Sequence, residues 1–325
     1  MHSPETKAPV QFGDVRGKRR IAAEVLALAY IAIIAEVALA SGAFYIMFPE
    51  LAALSHDIFT RPRGSWASAP VLLVTTPVLT AMLGTLVTRT LQYDYVSVML
   101  TVGGALVIVL ALRSPIAPAI SAGLLPLALG VRSLWYPPGI VFGTILLAVL
   151  SSIWKRMSDE PLQNTIVASE DEDTAPGAES HWRLLPLLVL VLAAVFVVKL
   201  TNLRFVLFPP LVVIGFEMFL HTKRCPWATR YLALPFVCAL TAAGGLFCRR
   251  YLGVGPAGSI SSMAWGILIL RVFDLHIPPA LAVALLPQVI ASPTVLYPVA
   301  VSIGTSLLSG LFVLYSRVLG PHFEY

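Results

Sequence analysis

The sequence predicts an all-α polytopic membrane protein made of two repeated modules, each with five to six transmembrane segments and short proline-initiated helices. Three observations predict it. Of the 325 residues, 58% are hydrophobic and only 12% are charged, with mean hydropathy +0.84; a soluble domain carries about 25% charged residues. Apolar runs recur along the chain, several of them reaching the roughly 20 residues that a span needs. The two halves also repeat. Ser114-Pro115-Ile116-Ala117-Pro118-Ala119 opens a stretch that continues through Leu124-Leu125-Pro126, Tyr136-Pro137, Gly143-Thr144, Leu147 and Arg156. At an offset of 161 it returns as Pro279-Ala280, Leu285-Leu286-Pro287, Tyr297-Pro298, Gly304-Thr305, Leu308 and Arg317, with no gap. Many transporters are built from such duplicated modules, with a site where the halves meet.

The elements follow in order. Residues 1–20 form a polar tail ending in Arg16, Lys18, Arg19 and Arg20, a basic cluster expected on the cytoplasmic side. Module 1, residues 21–156, opens with the apolar run from Ile21 to Phe48, too long for a cleavable signal core. A short amphipathic stretch from Pro49 to Phe59 leads to the basic turn Arg61-Pro62-Arg63-Gly64. Runs at 66–87, 96–112, 115–131 and 134–154 complete the module. Residues 157–182 carry Glu170-Asp171-Glu172-Asp173 and Pro176-Gly177 and read as an acidic, flexible cytoplasmic linker. Module 2, residues 183–317, repeats the plan, and 318–325 form a C-terminal tail. Phe48-Pro49 matches Phe208-Pro209, Asp57 matches Glu217, Trp66 matches Trp227, Gly84 matches Gly245 and Arg89 matches Arg250. The offset changes from 160 to 161 at the basic turn, where Lys223-Arg224 stand in the second half. If every short piece crosses, each module has six segments and the modules run parallel; if one is re-entrant, there are five and the repeat is inverted. Matched basic turns favour the parallel arrangement, because inversion swaps the basic loops.

Composition excludes several classes. The net charge of +5 sits at the ends of apolar runs, as the positive-inside rule places it, and gives no nucleic-acid signature. No HExxH, GxSxG, Walker A or dinucleotide-binding pattern is present, so the chain reads as a non-enzyme without a cofactor or metal centre. Cys225, Cys238 and Cys248 read as apolar packing residues.

The strongest candidate features are the duplicated proline starts, Pro115–Pro118 and Ile277-Pro278-Pro279. Proline is favoured in a first helical turn. Each start therefore marks a helix N-terminus after a break, with free N–H groups and a positive dipole end. Inside a membrane cavity this is an anion site; otherwise it is a tight turn between spans. Arg113 precedes the first break, and Arg271, Asp274 and His276 precede the second. Arg271 and Asp274 have the i, i+3 spacing of a pair. Arg113, Pro118, Arg271, His276, Pro278 and Pro279 are thus the candidate substrate-binding residues. Glu36, Asp57, Glu217 and Asp274 are the candidates for coupling or ion pairing. Glu24 lies within a turn of the basic cluster and reads as interfacial, whereas Glu36 lies deeper. Asp57 and Glu217 are expected to pair with Arg61 or Arg63 and with Lys223 or Arg224.

The stretch from Ser259 to Arg317 resembles the HPP family of integral membrane proteins. The residues that carry the resemblance are Leu270-Arg271, His276-Ile277-Pro278-Pro279-Ala280, Tyr297-Pro298, Gly304-Thr305 and Tyr315-Ser316-Arg317. The family motif is His-Pro-Pro. Here Ile277 interrupts it, and the first half has no histidine. The resemblance implies a transporter or channel for a small anion, nitrite being the named guess, in a cell membrane. Gly84-Thr85, Gly143-Thr144 and Gly304-Thr305 also resemble exporters of the fusaric-acid-resistance type, which move aromatic or organic acids. A non-transporting scaffold or sensory component is the other reading left open. The partners expected are a small anion and the bilayer, and a homo-oligomer is compatible with either reading.

Overall fold

Twelve α-helices among the described residues arrange themselves as two six-helix modules. The computed structural model describes residues 12–157, 181–222 and 225–318. Module 1 holds α1 (Phe12–Ser41), α2 (Glu50–Thr60), α3 (Pro70–Thr90), α4 (Tyr95–Ala111), α5 (Pro118–Leu129) and α6 (Tyr136–Met157). Module 2 holds α7 (His181–Thr201), α8 (Pro209–Leu220), α9 (Leu234–Leu252), α10 (Pro256–Val272), α11 (Pro278–Val289) and α12 (Tyr297–Val318). No strand occurs among these residues. The acidic run 170–173 and the pair Lys223-Arg224 lie outside them.

Some boundaries differ from the sequence reading. α1 begins at Phe12, inside the expected polar tail. The helix after the first break begins at Pro118 rather than Pro115.

Length sorts ten of the helices into two classes, and α4 and α10, with 17 residues each, fall between them. α1, α3, α6, α7, α9 and α12 are long and apolar enough to cross a membrane. α2, α5, α8 and α11 have 11 or 12 residues. At 1.5 Å per residue they reach roughly 18 Å, well short of a hydrocarbon core of about 30 Å. These four are also the most buried: all but one residue of each is buried. Their irregular ends would be costly against lipid and are tolerated where protein encloses them. The short helices therefore form an inner layer, and the long helices present their exposed apolar side chains outward.

The modules meet through equivalent pairs. α2 packs on α11 as α8 packs on α5, and α1 packs on α10 as α7 packs on α4. Two contacts fix the direction of the α1–α10 pair. Arg271, at the end of α10, pairs with Glu24 near the start of α1, while Ser259, near the start of α10, contacts Met47 beyond the end of α1. The α4–α7 pair is antiparallel too, since Lys199 at the end of α7 pairs with Asp94 at the start of α4. Arg230, ahead of α9, donates to the Phe273 carbonyl at the end of α10. Phe312 of α12 lies against both Tyr231 and Phe219 at the end of α8, and Arg183 near the start of α7 donates to the Leu220 carbonyl. So α7 starts at the same end as α1, and corresponding helices of the two modules run in the same sense. The repeat is parallel, as the matched basic turns suggested.

Packing inside each module uses small residues. An added Cβ on Gly84 of α3 would lie 1.9 Å from the Gly123 carbonyl oxygen of α5, and one on Gly245 of α9 would lie 1.9 Å from that of Ala284 in α11. Both pairs sit at the repeat offset. Lipid tails give helices no hydrophobic reason to associate, so close backbone contact supplies the attraction. A hydrogen bond is duplicated as well: Tyr136 donates to the Ala122 carbonyl at 2.8 Å and Tyr297 to that of Val283 at 2.7 Å.

Candidate functional site

The charged side chains of the seam gather where the end of α2 meets the turn between α10 and α11. That turn is built the same way in both modules. The N–H of Leu275 bonds to the Leu270 carbonyl and that of Asp274 to the Arg271 carbonyl, with Asp274 at φ +48°. Ser114 to Val109 and Arg113 to Leu110 repeat it, with Arg113 also at +48°. This is a Schellman-type ending with a non-glycine residue in the left-handed region. It reverses the chain within a few residues and sets His276 just ahead of Pro278.

The side chains then form a relay across the seam. Glu24 on α1 accepts from Arg271 of α10, from Arg20 at 3.3 Å, and lies 3.9 Å from Nε2 of His56 on α2. Asp57, next along α2, accepts from Arg61 and lies 3.2 Å from Nε2 of His276. The two imidazole rings are 6.4 Å apart. Accessibility is graded: Arg271 is 44% exposed and His276 35%, but Glu24 is 8%, His56 7% and Asp57 2%. Nδ1 of His56 is buried with no hydrogen-bond partner. A path of ionisable groups thus leads from one end of the bundle into the inner layer.

The pseudo-equivalent position holds far less chemistry. There Glu217 pairs with His221 at 2.8 Å, Phe216 stands in place of His56 and Pro115 in place of His276. The expected pairing of Glu217 with Lys223 or Arg224 involves residues outside those described.

Several expectations need correction. Arg271 pairs with Glu24, not with Asp274, whose backbone carbonyl instead accepts from Arg230 at 3.4 Å. Glu24 is buried in the seam, while Glu36 is exposed on the outer face of α1. Pro118, Pro278 and Pro279 are buried in the first turns of α5 and α11. Arg113 is exposed and lies at the other, equivalent turn. Of the candidates, the structure brings together Asp57, Arg271 and His276, with Pro278 and Pro279 directly behind them. Just ahead of α11, His276 already faces the protein's own Asp57.

The residues that sequence reading missed are His56 and Glu50. His56 precedes Asp57 and was legible only as the neighbour of a matched acid. Glu50, in the first turn of α2, is 1% exposed. Ser121 of α5 donates to its Oε1, and Oε2 is buried without a partner. Among the described residues no cation pairs with it. An ionised carboxylate in such a place costs several kcal/mol. The α2 dipole returns about 2 kcal/mol at most for a buried first-turn acid. The signal that could have found Glu50 is the repeat itself, since its counterpart at offset 160 is Pro210 and that of Ser121 is Ala282.

At the opposite end, Lys199 reaches Asp94 and lies 4.2 Å above the Tyr95 ring. The Lys199 hydrogen bond, then the Tyr95 backbone N–H, hold the Asp94 carboxyl below its usual range. Arg204 bonds the Leu127 carbonyl at 2.5 Å, placing a cation at the negative end of the α5 dipole.

Comparison of the chain with protein-family models, with characterised proteins and with solved structures returns no match.

Proposed function

We propose that the protein is a membrane transporter for a small anion, of the size and charge of nitrite, moving its substrate along the seam between the two modules. The observation that carries this reading is the one-sided relay Arg271–Glu24–His56 and His276–Asp57–Arg61 at the mouth of the inner layer. Ionisable groups placed among membrane helices are costly, and where they occur they mark pathways. Each exposed cation here is held by a buried acid. An incoming anion competes with that acid for Arg271 or His276.

The residues of the HPP resemblance support the same place. Leu270-Arg271 ends α10, and His276-Ile277-Pro278-Pro279 opens α11. Orientation follows from charge. Lys18, Arg19, Arg20, Arg61, Arg63, Lys155, Arg156 and Arg317 belong to the end that carries the relay. By the positive-inside rule that end faces the cytoplasm of a cell membrane, together with the linker. No catalytic step is assigned to the chain.

Uptake of nitrite, nitrate and formate into proteoliposomes tests the proposal. Wild-type protein should give flux above empty vesicles, and Arg271→Ala or His276→Ala should lower it about tenfold, as loss of a charge-assisted contact of roughly 1.4 kcal/mol does. Equal flux in wild type and Arg271→Ala removes that residue from the pathway, and flux equal to empty vesicles for all three anions removes the reading.

A further inference from the structure

We infer that Glu50 is a proton-binding site of the inner layer, neutral at rest and exchanging its proton with water when the seam between α2 and α5 opens. The observations are geometric. Glu50 sits at the base of α2, seven residues before Asp57, so the two acids bracket one short helix. It is sealed at 1% exposure, one oxygen is held by the Ser121 hydroxyl, and the other faces no donor or acceptor.

α2 packs mainly on α1, α5, α6 and α11. α1 presents Tyr30, whose hydroxyl is committed to the Gly143 carbonyl. α6 presents Tyr136, committed to Ala122, and Tyr297 of α12 is committed to Val283. α5 presents Ser121 only, and α11 carries no ionisable residue. Glu24, His56 and Asp57 lie towards the other end of α2. Among the described residues nothing near Glu50 supplies a compensating positive charge, so the uncharged acid is the form that this surrounding holds.

The Oε2–H bond breaks, the proton passes to water and the electron pair stays on the carboxylate. The charge then favours an open, hydrated seam over the packed one. A neutral acid that becomes costly when ionised thereby links proton release to separation of α2 from α5. This deepens the transport reading and rests on it for the coupling, but not for the proton itself.

Difference infrared spectroscopy of the full chain in lipid tests it. Wild-type protein at neutral pH should show a carbonyl stretch of a protonated carboxyl that is missing in Glu50→Gln. That band should shift on transfer to D2O, and it should move in Ser121→Ala, which removes the hydroxyl donor but keeps the acid. A spectrum in which Glu50→Gln removes only carboxylate bands overturns the inference, and so does a protonated band that never shifts in D2O. Vesicles carry the coupling arm: nitrite flux in wild type should depend on an imposed proton gradient, and Glu50→Gln should abolish that dependence. Gradient-dependent flux in Glu50→Gln defeats the coupling while leaving transport standing. The infrared band without any flux leaves the proton site standing and defeats transport.

Discussion

Replacing Gly245 by alanine should open the second module at its tightest crossing. A Cβ there would lie 1.9 Å from the Ala284 carbonyl oxygen and 2.7 Å from its carbon. Ordinary contact needs about 3.4 Å, so α9 and α11 must part by roughly 1.5 Å against close-packed surroundings. The obstacle is backbone, which cannot swing aside as a side chain does. Overpacking typically costs 1–3 kcal/mol, and this case belongs at about 3. That is a change of roughly 150-fold in the folding equilibrium. The alanine also gains about 1 kcal/mol of helix propensity, so the net loss expected is about 2 kcal/mol. Gly103→Ala on α4 is the control, because a Cβ there meets nothing within 4 Å. It should be neutral or stabilising by up to about 1 kcal/mol. Thermal unfolding in detergent, followed by retention of the monodisperse peak, reads both. Equal midpoints for the two variants would refute the claim that backbone contact holds α11 in place. The matching Gly84→Ala, 1.9 Å from the Gly123 oxygen, should behave as Gly245→Ala does.

Removing Arg271 leaves the Glu24 carboxylate, 8% exposed, without its partner from α10. Arg271→Ala should destabilise by about 1–3 kcal/mol, and adding Glu24→Gln should restore part of that; strictly additive effects in the double-mutant cycle would show that the pair is not coupled. Arg113 holds φ +48° without a glycine, so Arg113→Gly should stabilise by about 1 kcal/mol, and a lower unfolding midpoint for it would count against that backbone geometry. Asp94 binds its proton more weakly folded than unfolded, because Lys199 holds its carboxyl down. Its contribution is therefore complete above about pH 4 and fades as pH falls through the lower folded value. The difference in melting temperature between wild type and Lys199→Met should shrink over that acid range; a difference that stays constant with pH would dismiss the pair.

The repeat was legible because glycine, proline and tyrosine do jobs that few other residues can do. Gly84 and Gly245 permit backbone contact, Pro118 and Pro279 start helices, and Tyr136 and Tyr297 each close one buried hydrogen bond. Such residues keep their spacing when the apolar residues around them drift. Helix order, the short inner pieces and the parallel sense therefore followed from offset and charge. The ion pairs did not. Spacing along one helix suggested Arg271 with Asp274, but the left-handed turn at Asp274 carries its side chain away, and α1 brings Glu24 there instead.

The sequence by itself determined a duplicated, membrane-embedded all-α chain, because hydropathy and repeat spacing are properties of the linear order. Only the tertiary structure decided which acids are buried. Glu36 and Glu24 look alike in one apolar run, yet one faces outward and the other inward, since the α1–α10 contact selects a single face of that helix. Glu50 was one unmarked residue of a short amphipathic stretch until α2 and α5 closed over it. Burial is a sum over neighbours distant in sequence, and no local pattern encodes it.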